Sequence, residues 1–300
     1  MGRPFLTLSD RARGLLLGLA AGHAVGLSVA RRRRQPRAPE PADLLRDVLR
    51  ADSEASPWGD EVALATALVE ELLEPEVDLR RLADRWIGWW RRDGRGLDPA
   101  TADALEHIAL HDVPVTTAPS HDTAPLARGL PLAIPAARQP RNLVSGTYHT
   151  VLLTHPDPRA AWAAVALNVA AAAFVRDRRD FLPDVLEVLV ANDAPPDLLG
   201  RLRRIPFIGR EEVGNGDPGA VARSELVLWT AYHEPSLERG MVWVANHHAA
   251  DPTTAAAAGG LLGCRDGDRA IPARWIEALP DPGYLRGLAK RLSTPREFPD

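Results

Sequence analysis

Apolar positions recur at helical intervals along almost the whole chain. From Ser56 to Glu74 the sequence SPWGDEVALATALVEELLE places Leu64, Leu68 and Leu72 four residues apart, the spacing of one helix face. Asp60 and Glu61 open that helix, where acidic side chains suit the positive end of the backbone dipole. The same reading predicts helices over residues 10–30, Leu79 to Trp90, Ala100 to Leu110, 154–177, 220–232, Ser236 to Ala245 and Ile271 to Leu279. Residues 181–203 give one further helix or a pair, and residues 120–135 a loop entering a Pro-punctuated helix start. Loops are expected at 31–41, 91–99 and 205–219, irregular chain from His111 to Ser120, and a frayed tail over 295–300. Strand signals are nearly absent, with no alternating β-branched runs and no Asn-Gly turns. The expectation is an all-α, single-domain protein of about ten helices over 1–300, its core spanning about 10–290.

Two of these helices carry small residues where neighbours must approach closely. Gly14, Gly18 and Gly22 sit at four-residue intervals, and Ala255 to Gly260 form an uncharged Ala/Gly run. Glycine costs helix stability, so packing has to offset it. The second run ends the stretch VWVANHHAADPTTAAAAGGLLG (242–263), which holds His247, His248, Asp251, Thr253 and Thr254 just before the alanines. Thr253 or Thr254 is the expected N-cap, and Pro252 suits a first turn. Polar side chains at the positive end of a buried helix hold an anion or, with carboxylates, a metal; a well-capped core helix has the same pattern. His23, the lone ionisable group between Arg13 and Arg31, reads equally as a satisfied core histidine or a site residue.

Composition removes several function classes. The net charge of -4 argues against a nucleic-acid surface. A single cysteine, Cys264, excludes internal disulfides and cysteine-based metal clusters and agrees with a reducing cytoplasm. The apolar run from Leu15 to Ala30 is interrupted by Gly18, Gly22, His23, Gly26 and Ser28, so it reads as a buried helix rather than a membrane span or signal.

Seven fragments together resemble the ADP-ribosylglycohydrolase family, the group that includes the dinitrogenase-reductase-activating glycohydrolase. They are RARGLLLGLAAGHAVG, WGDEVALATALVEELL, RGLDPATADAL, LARGLPLAI, LTHPDPRAAWAAVAL, the 242–263 stretch and AIPARWIEAL, in the family's order over about residues 10–290. The resemblance implies an all-α domain that cleaves the glycosidic bond between ADP-ribose and a side chain or small molecule, using two Mg2+ or Mn2+ ions. Such hard cations need oxygen ligands gathered from separate helices, and they orient the ribose diol and activate water.

Residue by residue the ligand set is eroded. The family's Thr-Asp-Asp is Gly59-Asp60-Glu61 here, and its Asp-x-Asp-Thr is Ala250-Asp251-Pro252-Thr253, with Asp251 one residue out of register. Its Gly-Asp is Gly22-His23, its glutamate is Ala30, and two glycines become His248 and Ala249. The Asn-Gly of the substrate loop is Thr123-Ala124, while Arg128 and Pro131 remain. The resemblance therefore implies Asp60 and Glu61 as candidate catalytic residues. His23, Thr123, Arg128, His155, His248 and Thr253 are candidate substrate-binding residues, and Asp60, Glu61, Asp251 and Thr253 candidate metal ligands. The expected cofactor is Mg2+ or Mn2+ by resemblance, reduced by the erosion to none or a single divalent ion.

Three readings follow. The first is a binding protein for ADP-ribose, a related nucleotide-sugar or an ADP-ribosylated partner. The second is a hydrolase with a rebuilt site, using histidine and carboxylate ligands suited to Zn2+, Mn2+ or Fe2+, or Asp60 or Glu61 as a metal-free general base. The third is an interaction protein using Trp86, Trp89, Trp90 and the Arg31–Arg34 run. Nucleic acid and membrane are not expected partners.

Overall fold

Helix α1 (Leu8–Arg33) is the axis of the structure, and the glycine stripe sets its partner. A computed structural model describes residues 5–33, 59–94, 97–116, 123–136, 141–216, 219–247 and 251–294. Along α1, Gly14, Gly18 and Gly22 face Gly263, Gly259 and Ala255 of the Ala/Gly helix Pro252–Asp266. A Cβ built on Gly18 would stand 2.2 Å from the Gly259 carbonyl oxygen, so the two backbones touch without any side chain between them. This close approach is the packing gain that offsets two glycine-rich helices.

The remaining elements are numbered in chain order. They are α2 (Asp60–Leu72), α3 (Leu79–Asp93), α4 (Pro99–His111), α5 (Pro125–Arg128), α6 (Ala133–Ala136), α7 (Arg141–Leu152), α8 (Pro158–Val175), α9 (Leu182–Ala191), α10 (Pro196–Arg203), α11 (Ala220–His233), α12 (Leu237–Asn246), α13 (Pro252–Asp266), α14 (Ala273–Glu277) and α15 (Pro282–Ser293). Single 3-10 turns lie at Leu130–Leu132 and Asp268–Ala270. Among the described residues there is no strand, so the fold is all-α as the hydrophobic period predicts.

Helix α8 is buried nearly all round, from Ala160 through Phe174, and packs against α7, α9 and α11. An Ala-rich helix of that kind lets neighbours close in on every side, which explains why its apolar pattern has little directional bias. Leu8–Ala30 and Pro158–Val175 have the length and apolarity of membrane spans, yet 83% and 78% of those windows lie buried against other helices. Each reads as a core helix here.

Several expectations need correction. Helix α1 runs on to Arg33, so the charged loop does not begin at Arg31, and 34–41 and 295–300 lie outside the described residues. Helix α3 extends to Asp93, into the stretch expected as loop. Helices α7 and α15 are additions to the expected set. In α7, RNLVSGTYHTVL mixes glycine, serine and β-branched residues of weak helix propensity, and packing on α8, including Tyr148 against Trp162 at 5.3 Å, decides its state. For α15 local signals do exist: Asp281 caps Tyr284 N at 2.9 Å, and Leu285, Leu288, Ala289 and Leu292 form its buried face. Trp86 is fully buried, with its indole N–H donating to the Leu64 carbonyl at 3.1 Å, which removes it as a surface contact.

Candidate functional site

The first turn of α2 begins without a side-chain cap, because Gly59 stands where a capping residue would. That glycine has a steric cause: a Cβ there would meet His23 Nε2 at 2.0 Å. The Nε2 end of His23 is thus packed against the start of α2. Its Nδ1 is buried and has no hydrogen-bond partner among the described residues, and burial pushes its pKa down to about 4. A neutral imidazole wedged against backbone is the result.

Asp60 follows, half buried at the site's edge. Burial raises its pKa to about 6, the negative charge of Asp98 adds to the rise, and a hydrogen bond from its own backbone N–H opposes it. Glu61 points into the protein, 4% exposed, and accepts the Thr253 hydroxyl at 3.3 Å. That contact joins the first turn of α2 to the first turn of α13.

Helix α13 is capped by Asp251, and not by Thr253 or Thr254 as its sequence suggests. Asp251 Oδ1 accepts the Thr254 N–H at 2.6 Å, and Thr254 itself is buried. The reason is register: Pro252 occupies the first helical position, so the residue before it is the cap. Asp251 Oδ2 accepts the Thr123 hydroxyl at 2.9 Å, which fixes the chain entering α5. Both carboxylate oxygens are therefore engaged within the protein.

Asp98 completes the cluster, and neither periodicity nor the family resemblance singles it out. It caps α4, accepting the Thr101 N–H at 2.8 Å, and its Oδ1 lies 4.0 Å from His155 Nε2. No local signal distinguishes it, since Asp157-Pro158, Asp251-Pro252 and Asp281-Pro282 open helices with the same Asp-Pro pair. Behind Asp98, Arg128 is 1% exposed, lies over the Trp86 ring at 5.0 Å and donates to Thr101, Thr154 and His155.

Contacts thus bring together His23, Asp60, Glu61, Asp98, Thr123, Asp251 and Thr253, with Arg128 and His155 buried behind them. His248 lies outside the described residues. His247 goes elsewhere, packing on Trp243 at 5.3 Å and against Gly214.

The donor set does not fit two hard cations. Four positive charges need several free carboxylate oxygens. Asp251 holds a helix cap and a hydroxyl, Glu61 faces Thr253, and Ala30, Ala250 and Pro252 stand where the resemblance puts carboxylates. Among the described residues no group of three or more His, Cys, Asp or Glu side chains is placed to hold a metal ion.

What the arrangement offers instead is helix starts. The first turns of α2, α4 and α13, helices of 13, 13 and 15 residues, converge through the Asp60, Asp98, Glu61 and Thr253 contacts. Asp98 and Asp251 cap α4 and α13, so among these three starts α2 is the one whose first-turn N–H groups no side chain caps.

Comparison with known proteins adds a family-level signal. The family described as ADP-ribosylglycohydrolase matches residues 5–299. A solved structure described as an ADP-ribosylglycohydrolase-related protein complex superposes with a TM-score of 0.76 at 26% identity, covering 95% of this chain and 98% of that one. No curated protein matches the chain.

Proposed function

The chain belongs to the ADP-ribosylglycohydrolase family, and from that premise we propose that it binds ADP-ribose, a related nucleotide-sugar or an ADP-ribosylated partner without two-metal hydrolysis. One observation carries this reading: Asp251, the residue nearest the family's second metal motif, has both oxygens committed to Thr254 and Thr123. A cation there would find Asp251 already holding two hydrogen bonds and no second carboxylate of the motif beside it, since Ala250 and Pro252 stand at the family's two aspartate positions. The start of α2, which no side chain caps, offers its first-turn N–H groups to a diphosphate. The net charge of -4 speaks against nucleic acid as the ligand. Buried Cys264, the chain's one cysteine, suits a cytoplasmic setting.

The test is calorimetry with ADP-ribose, in EDTA and then in added Mg2+, Mn2+ or Zn2+, beside a chromatographic assay for released ADP-ribose. Binding that is indifferent to metal, without release, is the expected result. Release that climbs steeply with Mg2+ would overturn it.

Asp60 supports a second reading. A carboxyl group with its pKa raised to about 6 beside a second carboxyl group is an arrangement found in acid/base glycosidases. On that reading Asp60 donates a proton to the leaving group in the absence of metal. Turnover in EDTA that falls as pH rises past about 6, and that vanishes in Asp60→Asn, would favour it over binding alone.

A further inference from the structure

Asp98 is hydrogen-bonded on one side and faced by a ring nitrogen on the other, and both neighbours lead back to one guanidinium. On the first side the Thr101 N–H donates to Asp98 Oδ1 at 2.8 Å, while the Thr101 hydroxyl accepts from Arg128 Nη1 at 3.2 Å. On the second side His155 Nε2 faces Asp98 Oδ1 across 4.0 Å, and His155 Nδ1 lies 3.1 Å from Arg128 Nη2. The Thr154 hydroxyl accepts from the same Nη2 and stands 2.9 Å from His155 Nδ1. Arg128, Thr101, Thr154 and His155 are all buried, whereas the Asp98 side chain is 23% exposed. Asp98 is therefore the member of this ring that meets solvent.

The chemistry of the ring nitrogens fixes the protons. A guanidinium has donors only, so the nitrogen that meets it must accept. His155 Nδ1 then carries a lone pair, and the ring proton sits on Nε2, the edge that faces Asp98. The opposite tautomer would set N–H against N–H at Arg128 and a lone pair against a carboxylate at Asp98. Both contacts would be repulsive.

We propose that Arg128 and His155 are positioning residues and not ligand contacts: Arg128 fixes the Nε2–H tautomer of His155, which in turn points its N–H edge at Asp98 and orients that side chain beside Asp60. The resemblance assigned both residues to direct substrate binding, but their burial places them one layer behind the ligand's reach. The tautomer stands independently of any ligand. Its effect on affinity rests on the binding function proposed above.

Nuclear magnetic resonance of the full chain with 15N-labelled histidine reads the tautomer directly, with the His155 signals identified by their loss in His155→Gln. The expected wild-type spectrum shows a pyridine-type Nδ1 and a pyrrole-type Nε2. Thr154→Val removes the hydroxyl and leaves the guanidinium, so the tautomer should persist. A proton on Nδ1 in the wild type, or a switched tautomer in Thr154→Val, overturns the proposal, and neither observation needs an Arg128 variant that folds.

Calorimetry with ADP-ribose then reads the coupling. Arg128→Lys should change affinity roughly tenfold in the wild-type background, and by less than roughly twofold when Asp98 is already Asn. Equal effects in both backgrounds would mean that Arg128 acts without Asp98, against the proposal. If the wild type does not bind ADP-ribose at all, the function proposed above fails, while the tautomer still decides this one.

Discussion

Thr123 and Asp251 lie 128 residues apart and share a 2.9 Å hydrogen bond that ties the entry of α5 to the start of α13. Asp251 caps α13 with its other oxygen. Asp251→Ala should therefore cost about 2–3 kcal/mol, the sum of a lost cap and a lost buried-edge hydrogen bond. Asp251→Asn, which keeps an acceptor for the cap, should lose about half as much. Urea unfolding measures both. Equal stability of the Ala variant and the wild type would remove Asp251 from this structural role and return it to the pool of metal ligands.

The contact between α1 and α13 makes a sharper demand. A methyl group on Gly18 has no room, since the Gly259 carbonyl carbon would lie 2.9 Å from it and the oxygen closer still. Gly18→Ala should cost at least about 3 kcal/mol, because the obstruction is backbone and only separating two helices relieves it. Gly287 is the control: it lies mid-helix in α15, and nothing is within 4 Å of a Cβ built there. Gly287→Ala should stabilise by about 0.5–1 kcal/mol through helix propensity. A thermal melt of the two variants that ranks them the other way would refute the packing argument.

Why some of this is legible in the sequence and some is not follows from the range of each interaction. The four-residue glycine spacing, the Leu64, Leu68 and Leu72 period behind an acidic first turn, and Pro252 before an Ala/Gly run are local patterns, and they forecast α1, α2 and α13 within a few residues. Even there the cap at α13 escapes the pattern, since choosing between Asp251 and the threonines depends on one register step around Pro252. Helix α7 exists because Tyr148 and its neighbours find α8, which no local pattern states. Asp98 is the clearest case. Its significance comes from Asp60, Arg128 and His155, residues distant in sequence, so only the folded chain distinguishes it from the other capping aspartates.

Divalent ions should leave the stability of this protein nearly unchanged. A ligand that binds only the folded state raises stability by RT ln(1 + L/Kd) at free ligand concentration L. Because no group of three or more His, Cys, Asp or Glu side chains among the described residues is placed to hold an ion, the site has no cage of ligands for Mg2+. Millimolar Mg2+ or its removal by EDTA should shift Tm by less than about 1 °C. Scanning calorimetry at constant ionic strength is the check, and a rise of several degrees that EDTA reverses would reinstate a metal centre.

Asp60 gives the pH dependence its sign. Folding raises its pKa from 3.8 to about 6, chiefly by burial, so the folded chain holds the proton more tightly than the unfolded chain does. Below 3.8 both states are protonated and Asp60 contributes no difference; between 3.8 and about 6 the unfolded chain ionises first. Stability is therefore lost as pH rises through that window and reaches its floor above it. The full two-unit shift corresponds to roughly 3 kcal/mol, and partial solvent access at this half-buried side chain reduces the expectation to about 1–2 kcal/mol. Asparagine mimics the protonated acid and does not titrate. Asp60→Asn should therefore be more stable than the wild type by about that amount near pH 7.5, with the gap closing as pH falls toward about 4. Chemical denaturation of both proteins across this range tests the claim. A gap that stays flat, or that widens at low pH, would show that Asp60 is not desolvated by the fold.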